Sequence, residues 1–281
     1  MSRLKNEWRM VRELYRFARR HRRYLTIALA LYCAELKLGR RAYTSRLGFV
    51  FLQVIDDWLD GDRPCPREPY DVVRELLRRA ESRRFDRTQP IDCLGEALFN
   101  ELERGPASEE GIEKTLKVIR LMLVDRQRVI RSEIWSREQI QNHHRATFGM
   151  SLDLTLIAQR SALRTSDAPR ILDLFGWCST MRDLEEDLDK GLCNVPAHVV
   201  SQIDNDPMSS SWSRNAAVLD WIEDSHDDAA QLIQGLSTDL KRLDGQAGAG
   251  LFRLFHRSMT SFHQKQMEVR SRSRTSLDRP L

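Results

Sequence analysis

Gly48-Phe49-Val50-Phe51-Leu52-Gln53-Val54-Ile55-Asp56-Asp57-Trp58-Leu59-Asp60-Gly61-Asp62 is the stretch on which the fold of this chain turns. From Phe49 to Ile55 only Gln53 is polar. A helix that is apolar on every side is buried on every side. Its last turn then carries Asp56, Asp57 and Asp60. Asp56 and Asp60 are four apart and share a face; Asp57 and Asp60 are three apart and lie close. Carboxylates crowded beside a core repel one another and are costly to desolvate. The C-terminal end of a helix is also the wrong end for anions. A hard, oxygen-seeking cation such as Mg²⁺ offsets these costs. The competing reading is a helix that simply emerges into solvent at Asp56, which suits Gly61 and Pro64.

Outward from this stretch the chain reads as helix nearly throughout. Its 281 residues are 41% apolar, enough for a sizeable core. Gly (13) and Pro (9) make up about 8% of them, against a usual ~12%. So few breakers exclude collagen, low-complexity disorder and most all-β folds. Helices are expected over 23–38, 42–60, 70–83, 90–104, 108–131, 137–160, 168–189, 212–243 and 248–268. No fixed-period repeat and no Gly-rich phosphate loop appears. The expectation is an all-α, single-domain helical bundle of about ten helices over residues 24–269. Before it stands a basic amphipathic helix, 1–23, and after it a short basic tail, 270–281, expected to be disordered.

Residues 1–23 hold nine Lys or Arg and two Glu, a local +7 in a chain whose total is +4. Trp8, Val11, Leu14, Tyr15 and Ala18 recur at helical spacing beside this charge. One reading is docking to an anionic membrane surface; the other is a solvated helix packed on the body. Nucleic acid is excluded, since basic and aromatic residues do not interleave and no zinc spacing occurs. The nearly apolar run from Tyr24 to Ala34 is too short for a bilayer, which takes ~20 residues. Glu35 and Lys37 close it without a cleavage pattern, so it reads as a core helix rather than a signal peptide. Five cysteines without Cys-x-x-Cys spacing read as reduced thiols of a cytoplasmic protein, with peripheral membrane attachment left open.

A second acidic cluster lies about 127 residues on: Ser179-Thr180-Met181-Arg182-Asp183-Leu184-Glu185-Glu186-Asp187-Leu188-Asp189-Lys190-Gly191. Trp177, Met181, Leu184 and Leu188 form an apolar stripe, with Ser179, Asp183 and Asp187 in line opposite. Arg182 and Glu186, four apart, are expected to pair. Alone, this is an amphipathic helix with a solvated acidic face. Were the two helices to face each other, four carboxylates would converge on one cavity and hold two or three Mg²⁺ shared with a substrate phosphate. The chemistry that follows is removal of diphosphate from carbon, with apolar walls shielding a carbocation.

These residues resemble the squalene and phytoene synthase family of the trans-prenyl-diphosphate synthase superfamily. Asp56 to Asp60 matches its first DxxxD. Residues 179–196 match its second signature, N-x-x-R-D-x-x-E-D-x-x-R-G-R-x-Y-x-P, in the RDxxED core, the glycine and the proline. Ala146-Thr147-Phe148-Gly149 is similar to its A-G-x-V-G helix. The resemblance implies an isoprenoid-synthase-type helical fold with a central cavity, a Mg²⁺ requirement and C10–C20 prenyl diphosphate substrates. By match, Asp56, Asp60, Asp183 and Asp187 are the catalytic metal-binding acids, with Asp57 and Ser179 completing the metal set. Arg182 stands near the substrate diphosphate, and Lys190 opens the remnant of R-G-R-x-Y. Gln53, Phe49 and Gly176 occupy positions that hold Arg, Tyr and Gln in the family, and Ser179 replaces its Asn. These departures fall on diphosphate-holding groups, while the metal carboxylates remain.

The expected function is head-to-head condensation of two prenyl diphosphates. Its rivals are prenyl transfer to an aromatic acceptor, cyclisation, and a binding protein that kept the fold. NADPH use is left open. Elsewhere, His143 and His144 read as structural or surface residues, and Trp212 and Trp221 as core in preference to cavity lining. Asp220, Asp224, Asp227 and Asp228 read as a solvated face.

Overall fold

The computed structural model describes residues 3–20, 22–33, 39–203 and 215–277. Among them every regular element is helical. The α-helices are α1 (Arg3–Arg20), α2 (Arg22–Cys33), α3 (Arg40–Leu59), α4 (Pro69–Glu81), α5 (Pro90–Glu103), α6 (Ser108–Arg131), α7 (Arg137–Ala158), α8 (Arg170–Asp189), α9 (Ala197–Val200), α10 (Ala216–Arg242) and α11 (Ala249–Leu277). A 3₁₀ turn at Thr165–Asp167 precedes α8. Where the sequence suggests a single domain, the residues group into two compact units. The first is Met1–Ile130 with Met150–Ala162; the second is Arg131–Gly149 with Leu163–Leu281.

Local chemistry sets the helix ends. α4 and α5 open on Pro69 and Pro90, each with an aspartate in the first turn, Asp71 and Asp92. Asn215 caps α10, its Oδ1 accepting the Ala217 N–H at 2.9 Å. Both acidic helices stop on a left-handed glycine, Gly61 (φ 76°) after α3 and Gly191 (φ 82°) after α8. α11 runs to Leu277, through most of the segment expected to be a disordered tail. No Gly or Pro falls between Gly250 and Pro280 to end it sooner; residues 278–281 lie outside the described residues. α9 lies in a stretch the sequence reads only as a break.

α3 is the axis of the first unit's core. Its Leu47, Val50, Phe51 and Ile55 are buried among Leu94, Leu98 and Phe99 of α5, Leu76 of α4 and Ile119 of α6. Gly95 lets α5 close on α3, since a Cβ there would stand 2.9 Å from the Phe51 ring. Beside this contact, Asp92 is fully buried. It accepts Arg79 Nε at 2.7 Å, Arg79 Nη2 at 2.9 Å and the Asp86 N–H at 3.1 Å. Arg46, also fully buried, donates to Glu7 at 2.8 Å and lies 4.4 Å from the Tyr32 ring centre, fastening α1 and α2 to α3.

α1 divides its apolar residues between two faces. It buries Met10, Leu14 and Phe17, whereas Trp8, Val11 and Tyr15 are exposed. Of the expected stripe only Leu14 belongs to the packed face. In the second unit, Leu184 and Leu188 of α8 pack with Cys193, Val195, Val199, Val200 and Val218.

Candidate functional site

In the first unit, four carboxylates act on one another at the end of α3. Asp56 is partly buried, Asp57 buried and Asp60 exposed. Asp125 of α6 is the fourth, and sequence reasoning missed it. Burial pushes the Asp56 carboxyl well above the usual carboxylate range; the negative charges of Asp60, Asp57 and Asp125 push it further, and a hydrogen bond from Gln53 opposes them. Gln53 Nε2 donates to Asp56 Oδ2 at 3.1 Å and to Asp57 Oδ1 at 2.9 Å. Asp57, a candidate metal ligand, is engaged structurally: Arg20 of α1 donates to its Oδ1 at 2.7 Å and also pairs with Asp62 at 3.3 Å. Phe49 meets Phe17 edge-on at 6.4 Å. A readable signal for Asp125 did exist. Like Asp56, it follows an apolar run, Leu121-Met122-Leu123-Val124. Arg128, three residues on in the same helix, donates to it at 3.0 Å.

In the second unit, Asp183 and Asp187 are partly buried on α8, as is Ser179. Arg182 does not pair with Glu186 as expected. Its Nε donates to Asp183 Oδ1 at 2.8 Å and its Nη2 to Asp183 Oδ2. Glu186 is held instead by Lys190 at 2.8 Å, so both basic candidates of this cluster are engaged with acids of their own helix. Asp187 accepts Asn194 Nδ2 at 3.1 Å.

Asn194 also lines a cavity of about 700 Å³ within this unit. Gly176, Trp177, Thr180 and Met181 of α8 and Trp221 of α10 share its wall. Trp221 packs against the second unit's apolar cluster, as a core residue would, and also lines the cavity. A Cβ at Gly176 would stand 2.7 Å from His144 Nδ1, so the glycine gives that imidazole its place in the wall. His143 is buried. Phe148, Phe175 and Phe255 form a further aromatic row, with ring centres 5.1 and 4.8 Å apart. Asp220, Asp224 and Asp227 are exposed, as expected; Asp228 pairs with Arg137, and Trp212 lies outside the described residues.

Cys178, beside this wall, is a ready check on the local environment. Burial pushes its thiol up to about 11; Arg182 opposes the shift and Asp183 adds to it. A thiol at the ordinary ~8.5 is far more ionised at pH 8. Alkylation of Cys178 at pH 8 is therefore expected to run about two orders of magnitude slower than that of a small free thiol such as glutathione under the same conditions. Mass-spectrometric time courses measure this; equal rates would contradict the packing described.

Among the described residues, no three His, Cys, Asp or Glu side chains are arranged to hold a metal ion. The donor set nonetheless fits a hard cation. It is all oxygen, and burial and three neighbouring acids oppose the anionic form of Asp56, an opposition a cation would offset. Mg²⁺ takes one or two protein carboxylates and completes its shell with water and phosphate, so it needs no closed protein cage. Compared with family models, curated proteins and solved structures, the chain matches none.

Proposed function

We propose that this protein is a Mg²⁺-dependent prenyltransferase that ionises an allylic prenyl diphosphate and couples the cation to an acceptor, in the first instance a second prenyl diphosphate head-to-head. One observation carries the reading. Asp56 ends an otherwise apolar helix and is opposed as an anion by burial and by Asp60, Asp57 and Asp125. A protein has reason to keep such a group where a cation comes to it. In this reading Asp56 and Asp60 in the first unit, and Asp183, Asp187 and Ser179 in the second, are the groups that would hold Mg²⁺, and the metal would supply charge neutralisation for a departing diphosphate. Arg182 and Lys190 bind diphosphate oxygens, exchanging their present acid partners for the substrate. Trp177, Met181 and Trp221 exclude water from the hydrocarbon, and the indole faces stabilise positive charge.

A second reading, transfer to an acceptor without a diphosphate or cyclisation, is favoured by Gln53. Its amide is turned to Asp56 and Asp57, and a neutral amide binds a second diphosphate more weakly than an arginine would.

Diphosphate release from C10, C15 and C20 allylic diphosphates tests the proposal. Release is expected only with Mg²⁺; none from well-folded protein would overturn it and leave a binding protein. A C30 or C40 hydrocarbon product supports coupling. Turnover that needs an added aromatic partner, or a cyclised single unit, supports the second reading. Asp60→Asn and Asp187→Asn act as one unit if both serve the same substrate. The double variant should then be scarcely slower than either single one.

A further inference from the structure

We propose that α1 docks this protein on an anionic membrane surface through its outward face, independently of the reaction proposed above. Leu4, Trp8, Val11 and Tyr15 follow one another at spacings of four, three and four, a single stripe along the helix. They are 69%, 70%, 43% and 63% exposed. This is not a core face left over from poor packing. The same helix buries Met10, Leu14 and Phe17 on its other side and is anchored there by the Glu7–Arg46, Glu13–Arg63 and Arg20–Asp57 ion pairs. The outward stripe is therefore held rigidly in place, and α2 adds the exposed Leu25 and Leu29, four apart.

The chemistry of the stripe selects its occupant. Trp and Tyr have an apolar ring with a polar tip, which suits the level of lipid headgroups. Lys5, Arg12 and Arg19 are exposed along the flank of the stripe, and residues 1–23 carry +7 while the rest of the chain is slightly acidic. That asymmetry draws this face toward an anionic layer and orients it on arrival. Face-to-face pairing with a second copy would set one +7 segment against another, which like-charge repulsion opposes. No described helix is long and apolar enough to cross a membrane, so the fit is to its surface.

The test is co-sedimentation of the full chain at low salt with phosphatidylcholine vesicles, with and without about 30% phosphatidylserine. Binding is expected only to the anionic vesicles. Each basic residue near the surface contributes about fivefold, so Lys5→Glu, Arg12→Glu and Arg19→Glu together should reduce the partition coefficient at least about 100-fold. Trp8→Ala with Tyr15→Ala should weaken it with the charge intact. All five side chains are exposed, so the variants should keep wild-type melting temperatures and circular dichroism, and sedimentation analysis checks the assembly state. The proposal is overturned if wild type ignores anionic vesicles, or if the charge variant binds as well as wild type. It is equally overturned if wild type is a dimer that Trp8→Ala dissociates, which would assign the face to a second copy.

Discussion

Asp56→Asn is expected to lose at least ~100-fold in diphosphate release, the scale seen when one preorganised transition-state contact is removed, and yet to melt higher than wild type at pH 7 without divalent cation. The two effects have one cause. In the folded protein the Asp56 carboxyl is raised above its ordinary range by burial and by Asp60, Asp57 and Asp125. Unfolded, it titrates near ~3.9. Between these two values the folded state holds more protons than the unfolded state, so stability falls as pH rises through the window. A neutral amide removes that loss. The variant's advantage should therefore be larger at pH 7 than near pH 4, shrinking as the unfolded carboxyl takes up its own proton. Mg²⁺ should narrow it from the other side, raising the wild-type melting temperature more than the variant's. Thermal scans at both pH values, with Mg²⁺ and with chelator, measure all three. A variant that melts lower at pH 7, or whose gain persists unchanged at pH 4, would remove Asp56 from the list of strained carboxylates.

Asp92→Ala should act in the opposite direction and more strongly on the fold. Asp92 is fully buried, where Asp56 is only partly so, but its oxygens meet two N–H groups of Arg79 and the backbone N–H of Asp86. The bond to Asp92 is the leading reason that the Arg79 guanidinium is held more firmly protonated than usual. Removing one partner of a buried ion pair costs about 3–5 kcal/mol. Arg79 retains partial access to water, which favours the lower end of that range. The melting temperature should fall by roughly 10 °C, with Asp92→Asn intermediate because its amide oxygen still accepts a bond. A fall of under about 1 kcal/mol in denaturant titrations would mean that this pair is replaceable by solvent. Asp56 and Asp92 are thus two acids at the edge of one core. One is matched by donors and supports the fold; the other is set among like charges.

The helices were legible because their ends are local chemistry. Pro69, Pro90, Gly61 and Gly191 stop or start a helix whatever surrounds them. The all-helical character followed from the same signals. Which face of a helix is buried depends on a partner that sequence spacing does not show. For that reason spacing grouped Trp8, Val11 and Tyr15 with Leu14 and left open which way their side faced, while Met10 and Phe17 do the packing. Arg182 bonds its immediate neighbour Asp183, whereas the helix-face rule considers only residues three or four apart. The acids at Asp56, Asp60, Asp183 and Asp187 were found by their crowding beside apolar runs. Asp125 was not, because it stands alone in its own helix and meets the others only in the fold. The cavity beside Trp221 was hidden in the same way, since an indole that lines a hollow and one that fills a core have the same sequence surroundings.

Neither compact unit is one uninterrupted stretch of chain. Residues 150–162, which belong with the first 130, come only after a segment of the other unit, and among them Leu154 and Ile157 are part of the α3 core. A gene cut at codon 130 would thus yield two fragments, the first missing core side chains and the second carrying apolar ones with nowhere to go. Recombination at that point would part side chains that pack in one core.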